Sequence, residues 1–205
     1  MLSTKMADLE VVVAGGGNAA LCAAITAREK GAAVTLFESA PRDMRGGITR
    51  HTRNLRASHA EPLETLEDSY TEDEFWDDIL KVTKGNTDET LTRLKIRHSP
   101  LLLSWLKARD VHFQPALSGT LSLHRTNAFF LGGGKTLLNK LYSHAEKIGV
   151  SVIYDSEVTS VAISNNRAHS IDVTTATDTS THTTTYGIKH LIAASGGFQA
   201  NEEWM

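Results

Sequence analysis

The sequence predicts an α/β fold, a Rossmann-like unit that carries an antiparallel β-meander and a helical insertion. Three stretches point to it: an apolar run broken by glycines near the start, an acidic helix-patterned middle, and alternating strand-like segments in the last third. A chain of 205 residues is long enough to bury a sizeable core. Its 40% apolar and 22% charged residues match ordinary globular domains, which argues against disordered, fibrous and membrane classes.

Leu9 to Ala14 is, Glu10 apart, apolar without alternation, the pattern of a strand buried on both faces of a parallel sheet. Gly15 to Gly17 break the run, Ala19 to Lys30 reads as a helix, and Gly31 sits where a left-handed residue would end it. A second apolar run, Ala33 to Phe37, stops at Glu38, completing a βαβ unit. Between Glu61 and Val111 three short helices are expected. Thr71 to Glu74 fits a capping box, Thr87 precedes Asp88 and Glu89, and Ser99-Pro100 opens Leu101 to Lys107. Lys135 to Lys147 reads as a further helix. Val150 to Ile163 alternates, Asn165-Asn166 signals a turn, and the Thr-rich stretch from Thr174 to Thr185 reads as an exposed variable loop in a small meander. Ile188 to Ala194 is a last buried strand that ends at Ser195-Gly196-Gly197. The expected organisation is a discontinuous domain, 1–60 with 126–205, interrupted by an insertion at 61–125.

The net charge of −3 comes from 21 basic and 24 acidic residues spread along the chain, so no basic stripe marks a nucleic-acid partner. Cys22 is the single cysteine, which excludes an intrachain disulfide and a cysteine-based metal cluster and is compatible with a cytoplasmic setting. The run before Gly15 is too short for a signal-peptide core or a membrane span. Nine acidic side chains lie between Glu61 and Asp78, and a solvated helix face is the expected explanation rather than a cation site. No histidine pair shows ligand spacing, so no metal is expected.

Gly15-Gly16-Gly17-Asn18-Ala19-Ala20 matches G-x-G-x-x-[GA] between a strand and a helix. Gly15 allows the tight turn, Gly17 lets the backbone approach a pyrophosphate, and small Ala20 lets helix and strand pack closely, with the phosphates on the helix N-terminus. Glu38 follows about 20 residues on, where a carboxylate accepts ribose hydroxyls and repels a phosphate. The alternative is a glycine turn that merely packs. Both NAD and FAD satisfy this pattern. Arg45-Gly46-Gly47-Ile48-Thr49-Arg50-His51 just beyond the second strand, the Ser195-Gly196-Gly197 turn and the meander between them favour FAD and a domain of the glutathione-reductase type. Gly132-Gly133-Gly134-Lys135-Thr136 is not a phosphate loop, because Phe129 stands where that motif needs glycine.

The strings Val11 to Ala24, Arg45 to Asn54 and Phe130 to Lys135 resemble the flavoproteins of the succinate dehydrogenase and fumarate reductase superfamily, and within it the tricarballylate dehydrogenase branch. The likeness runs from about Leu9 to Trp204. It implies that Gly15, Gly17, Asn18, Ala19 and Ala20 hold the pyrophosphate of FAD, Glu38 and Ser39 the adenosine ribose, and Gly46, Gly47 and Thr49 the flavin side. It further implies that Glu157-Val158 present backbone to the adenine and that Ser195, Gly196 and Gly197 close on the diphosphate. Ile48 departs from the Asn that relatives often carry. His51 has three readings: a covalent flavin attachment as in membrane-bound relatives, a noncovalent flavin contact, or a structural role. The substrate implied is a small di- or tricarboxylate, with Arg50, Arg53 and His51 nearest to hand. By the same resemblance a capping domain is expected to be absent here, and no catalytic acid or base is assigned. A flavin-dependent dehydrogenase thus stands beside two rivals, an inactive flavin-binding remnant completed by a second polypeptide and an ordinary NAD-binding domain.

Overall fold

The computed structural model describes residues 8–116, 123–176 and 180–198. In chain order the elements are β1 (Leu9–Ala14), α1 (Asn18–Glu29), β2 (Val34–Phe37), β3 (Asn54–Arg56), α2 (Glu72–Thr83), α3 (Glu89–Lys107), β4 (Asn127–Phe129), α4 (Gly133–Lys147), β5 (Ser151–Ile153), β6 (Ser156–Ser164), β7 (Arg167–Ala176) and β8 (Thr181–Ala193). Single 3-10 turns lie at Gly47–His51 and Leu123–Arg125. The chain divides into two compact units, one formed by Met1–Arg50 with Leu141–Met205 and the other by His51–Lys140. The insertion expected at 61–125 lies within the second.

The first unit is built on a six-stranded mixed sheet in the order β5-β2-β1-β8-β7-β6. β1 sits between two parallel neighbours, with Val12 opposite Thr35 on β2 and opposite Leu191 on β8. Val11 to Ala14 are all buried, which is why that run shows no alternation. β8 plays two parts. Its first half pairs antiparallel with β7, and from Ile188 onward it pairs parallel with β1. Val12, Phe37, Ile171, Val173 and Ile188 therefore form one continuous core beneath the parallel strands and the meander.

Two expectations are corrected. The Thr-rich stretch is strand rather than loop: β7 runs through Ala176 and β8 starts at Thr181, while 177–179 lie outside the described residues. The physical reason is the β-propensity of threonine together with cross-strand hydroxyl pairs, Thr174 with Thr183 at 3.1 Å and Thr159 with Thr174 at 3.3 Å. The Asn165-Asn166 turn is as expected, with both residues at positive φ (50° and 57°), the conformation of a two-residue hairpin.

In the second unit the capping box at Thr71 forms in both directions, with Glu74 N–H on the Thr71 hydroxyl and Thr71 N–H on the Glu74 carboxylate. That N–H and the Arg125 guanidinium hold the Glu74 carboxyl below its usual range. The second correction concerns Pro100, which opens no third helix: α3 runs unbroken from Glu89 to Lys107. Proline removes the N–H that would bond the carbonyl of Ile96. Here the Ser99 hydroxyl donates to that carbonyl at 2.7 Å and the Ser58 hydroxyl at 3.2 Å, so the break is satisfied from the side. Ser99 Oγ in turn accepts the buried Ser58 N–H at 2.9 Å. Replacing Ser99 with alanine strands that N–H and is expected to cost about 1–3 kcal/mol. Chemical denaturation of S99A against wild type measures it, and an unchanged midpoint would refute this account.

The acidic stretch also has basic partners, Lys81 beside Asp78 on the same helix and others from outside it. Arg56 meets Asp78 at 3.5 Å, Arg93 meets Asp73 at 3.9 Å, Lys107 meets Glu64 at 2.7 Å and Arg125 meets Glu74 at 2.6 Å. Among the described residues no group of His, Cys, Asp or Glu is arranged to hold a metal, and no helix is long and apolar enough to cross a membrane.

Candidate functional site

A cavity of 580 Å³ opens in the first unit at the carboxyl ends of β1, β2 and β8, the crevice where α/β sheets bind nucleotides. Its wall brings together Gly15, Gly17, Asn18, Ala19, Glu38, Ser39, Gly46, Gly47, Thr49, Val158, Ser195, Gly196 and Gly197. Two of the residues singled out from sequence do not line it. Ala20 is fully buried on the inward face of α1, and His51 is an exposed residue at the end of its 3-10 turn. Arg50 spends one guanidinium nitrogen on the backbone carbonyls of Asp43 (2.7 Å) and Arg45 (3.4 Å). Ile48 lines the cavity with its side chain largely exposed.

The three glycines of the turn are small for three separate reasons. Gly15 has φ +111° and its α-carbon lies against β8, where an added Cβ would stand 2.4 Å from the carbonyl oxygen of Ala194. At Gly16 a Cβ would stand 2.0 Å from Glu38 Oε2 and 2.1 Å from the Tyr142 hydroxyl. Gly17 has φ −76° and is the N-cap of α1, with no side-chain cap of its own. A Cβ there would meet nothing closer than Thr49 Oγ1 at 3.5 Å and Gly46 O at 3.7 Å, both on the cavity wall. Protein packing therefore leaves room at Gly17 that the other two lack.

Glu38 directly follows β2 and is 5% exposed. Oε1 accepts the Ala40 N–H at 3.0 Å and Oε2 accepts the Gly46 N–H at 3.2 Å, so the carboxylate ties the end of β2 to the Gly46-Gly47 loop. That loop returns to α1, because Thr49 Oγ1 accepts the Asn18 N–H at 3.1 Å. Behind the cavity the Arg45 guanidinium lies 4.6 Å from the centre of the Tyr142 ring. Burial, followed by the carboxylate of Glu146, pushes the Tyr154 phenol up to about 12.

Glu38 and Glu157 are the ionisable residues of this wall, and both are acids. Among the described residues this wall has no cation to hold a carboxylate substrate. It suits a ligand whose negative charge is met by backbone N–H groups and a helix N-terminus, and whose hydroxyls are met by a carboxylate. Those are the demands of a dinucleotide, and the wall is open beside Gly17 at the start of α1. Sequence reasoning passed over Gly16 and Tyr142. Gly16 falls on the variable position of the motif, and nothing local to Tyr142 links it to Gly16.

Comparisons with known proteins agree with this chemistry. The family model described as FAD binding domain matches residues 10–205. The chain is 26% identical over 197 residues to the NADH:fumarate oxidoreductase of Klebsiella pneumoniae (strain 342), a match covering 94% of this chain and 21% of that protein. Among solved structures, the open conformation of a flavocytochrome c3 fumarate reductase superposes with a TM-score of 0.80 at 21% identity, covering 98% of this chain and 36% of that one. The 3-ketosteroid-delta4-(5alpha)-dehydrogenase of Rhodococcus jostii RHA1 gives 0.77 at 19% identity, covering 98% and 49%. These structural likenesses show the shared fold, and the chain spans about a fifth of the curated relative it matches. With a nucleotide crevice at the strand ends and a family match over nearly its whole length, the chain belongs to the FAD binding domain family and its cofactor is FAD.

Proposed function

We propose that this chain is the FAD-holding part of an oxidoreductase of the fumarate reductase and succinate dehydrogenase type, most similar to the tricarballylate dehydrogenase branch, acting in the cytoplasm on a small di- or tricarboxylate. The observation that carries the reading is the 26% identity to an NADH:fumarate oxidoreductase over 94% of the chain. When bound, FAD supplies a flavin N5 that exchanges hydride with a carbon next to a carboxylate-bearing carbon. The residues of this chain bind and orient. The N–H groups at the start of α1 and the Ser195-Gly196-Gly197 turn would hold the diphosphate, Glu38 and Ser39 the ribose, Val158 the adenine, and Gly46, Gly47 and Thr49 the flavin side. In this reading 1–60 and 126–205 form the cofactor domain and 61–125 is its insertion.

A second reading has the chain as a flavin-holding component that a further polypeptide or domain completes. The cavity wall favours it: its two ionisable residues are acids, and among the described residues it presents no cation to pair with a carboxylate. One experiment addresses both. The purified chain is loaded with FAD and assayed with a reduced viologen dye against fumarate and tricarballylate, alone and together with any polypeptide that co-purifies with it. Turnover by the chain alone supports the enzyme. Flavin binding by the chain without turnover, with turnover gained when the second polypeptide is added, supports the component. A protein that takes up no flavin and binds only nicotinamide dinucleotide overturns both.

A further inference from the structure

Tyr142 lies on α4, is 1% exposed, and has no part in the sequence pattern of the site. Its hydroxyl is 2.8 Å from the carbonyl oxygen of Gly16 and 3.3 Å from Glu38 Oε2. A phenol has one proton to donate, and here two acceptors converge on it, one in the glycine turn and one on the carboxylate at the end of β2. Burial, and then the charge of Glu38, push the phenol far above its ordinary value, so the proton stays in place at every working pH.

We propose that Tyr142 is a positioning residue for FAD, holding the Glu38 carboxylate and the Gly16 peptide in the mutual geometry that the adenosine ribose requires; the proposal rests on the reading of Glu38 as the ribose acceptor. Glu38 has three side-chain torsions, and a free carboxylate at a strand end samples several rotamers. Ala40 N–H and Gly46 N–H each fix one of its oxygens. Both donors belong to the loop after β2. Tyr142 comes from a different element, and its hydroxyl also holds the Gly16 carbonyl in the turn that leads into α1. Rotating the carboxylate off Tyr142 would turn it within the cavity wall, and freeing the Gly16 carbonyl would let the N–H groups of the turn swing from the diphosphate. The absence of a side chain at Gly16 fits this role, because the space a Cβ would fill is taken by the carboxylate and the phenol together.

The test uses FAD and an FAD analogue lacking the 2′-hydroxyl of the adenosine ribose, with affinities read from quenching of flavin fluorescence. Wild type is expected to bind the analogue roughly tenfold more weakly, the loss of one hydrogen bond to a charged group. Tyr142→Phe keeps the buried ring and is expected to bind FAD roughly tenfold more weakly while distinguishing the two ligands less than about twofold. Gly16→Ala is the second variant. Its Cβ displaces the same pair of side chains with Tyr142 still present, and it is expected to lose discrimination in the same way. Circular dichroism melts of both apoproteins identify any variant that does not fold, and the other then carries the test. If wild type discriminates and a folded variant keeps the same ratio, Tyr142 is packing only and the proposal is overturned. If wild type itself does not discriminate, the ribose reading of Glu38 fails and the proposal falls with it.

Discussion

Replacing Gly17 with alanine is expected to leave the protein folded and to weaken FAD binding by about 100-fold, equivalent to about 2.7 kcal/mol. The backbone at Gly17 has φ −76°, which alanine adopts without strain, and the new methyl would rest in ordinary contact with Thr49 and Gly46. The protein has no packing reason for glycine here. A diphosphate on the N–H groups at the start of α1 must approach the backbone to hydrogen-bond distance, and a methyl at position 17 stands in its path. An apoprotein melt within about 2 °C of wild type, joined to the loss of affinity in a calorimetric titration with FAD, would bear this out. G17A protein that binds FAD as tightly as wild type would remove Gly17 from the site.

The opposite outcome is expected at Gly15, two residues away. Alanine there meets a φ of +111° and a Cβ 2.4 Å from the Ala194 carbonyl oxygen, a backbone atom that cannot rotate aside. Ala194 N–H is itself bonded to Ala14 O at 2.9 Å, so relief by shifting the strand end would break the β1–β8 ladder. The expected cost is about 3 kcal/mol, seen as a fall in apoprotein melting temperature of about 6–12 °C for a chain of this size. FAD plays no part in that loss. A G15A apoprotein as stable as wild type would contradict the close approach of the two strands. Together the pair separates a glycine that the fold requires from one that the ligand requires.

The parts legible in the sequence were those whose signals are local. β1, α1 and β2 follow from an apolar run, an Ala-rich stretch and a second apolar run, each complete within a dozen residues. The capping box at Thr71 is equally local. Where the sequence misled, a distant partner reversed a local rule. Ser99-Pro100 has the grammar of a helix start, and α3 continues through it with the help of Ser58. The Thr-rich stretch has the composition of a loop, and its neighbours across the meander make it strand. In the candidate site the glycine turn and Glu38 were readable from their spacing. Tyr142 was not, since its role depends on α4 passing beneath the turn, and no periodicity records that.

The last described strand of the chain is not at the edge of its sheet but next to the first, since β8 lies against β1 near the middle of the order. During synthesis, which proceeds at roughly 5–20 residues per second, β1 emerges before the other described strands and must wait for β8, the last of them, before that side is paired. Through that interval a strand whose Val11 to Ala14 are all apolar offers open backbone groups to any other nascent chain. The cavity, floored by the turn just after β8, cannot exist until then either. Ribosome-bound chains of this protein should therefore depend on chaperones until the turn after β8 has left the exit tunnel, and FAD in the growth medium should not rescue a chain stopped before it.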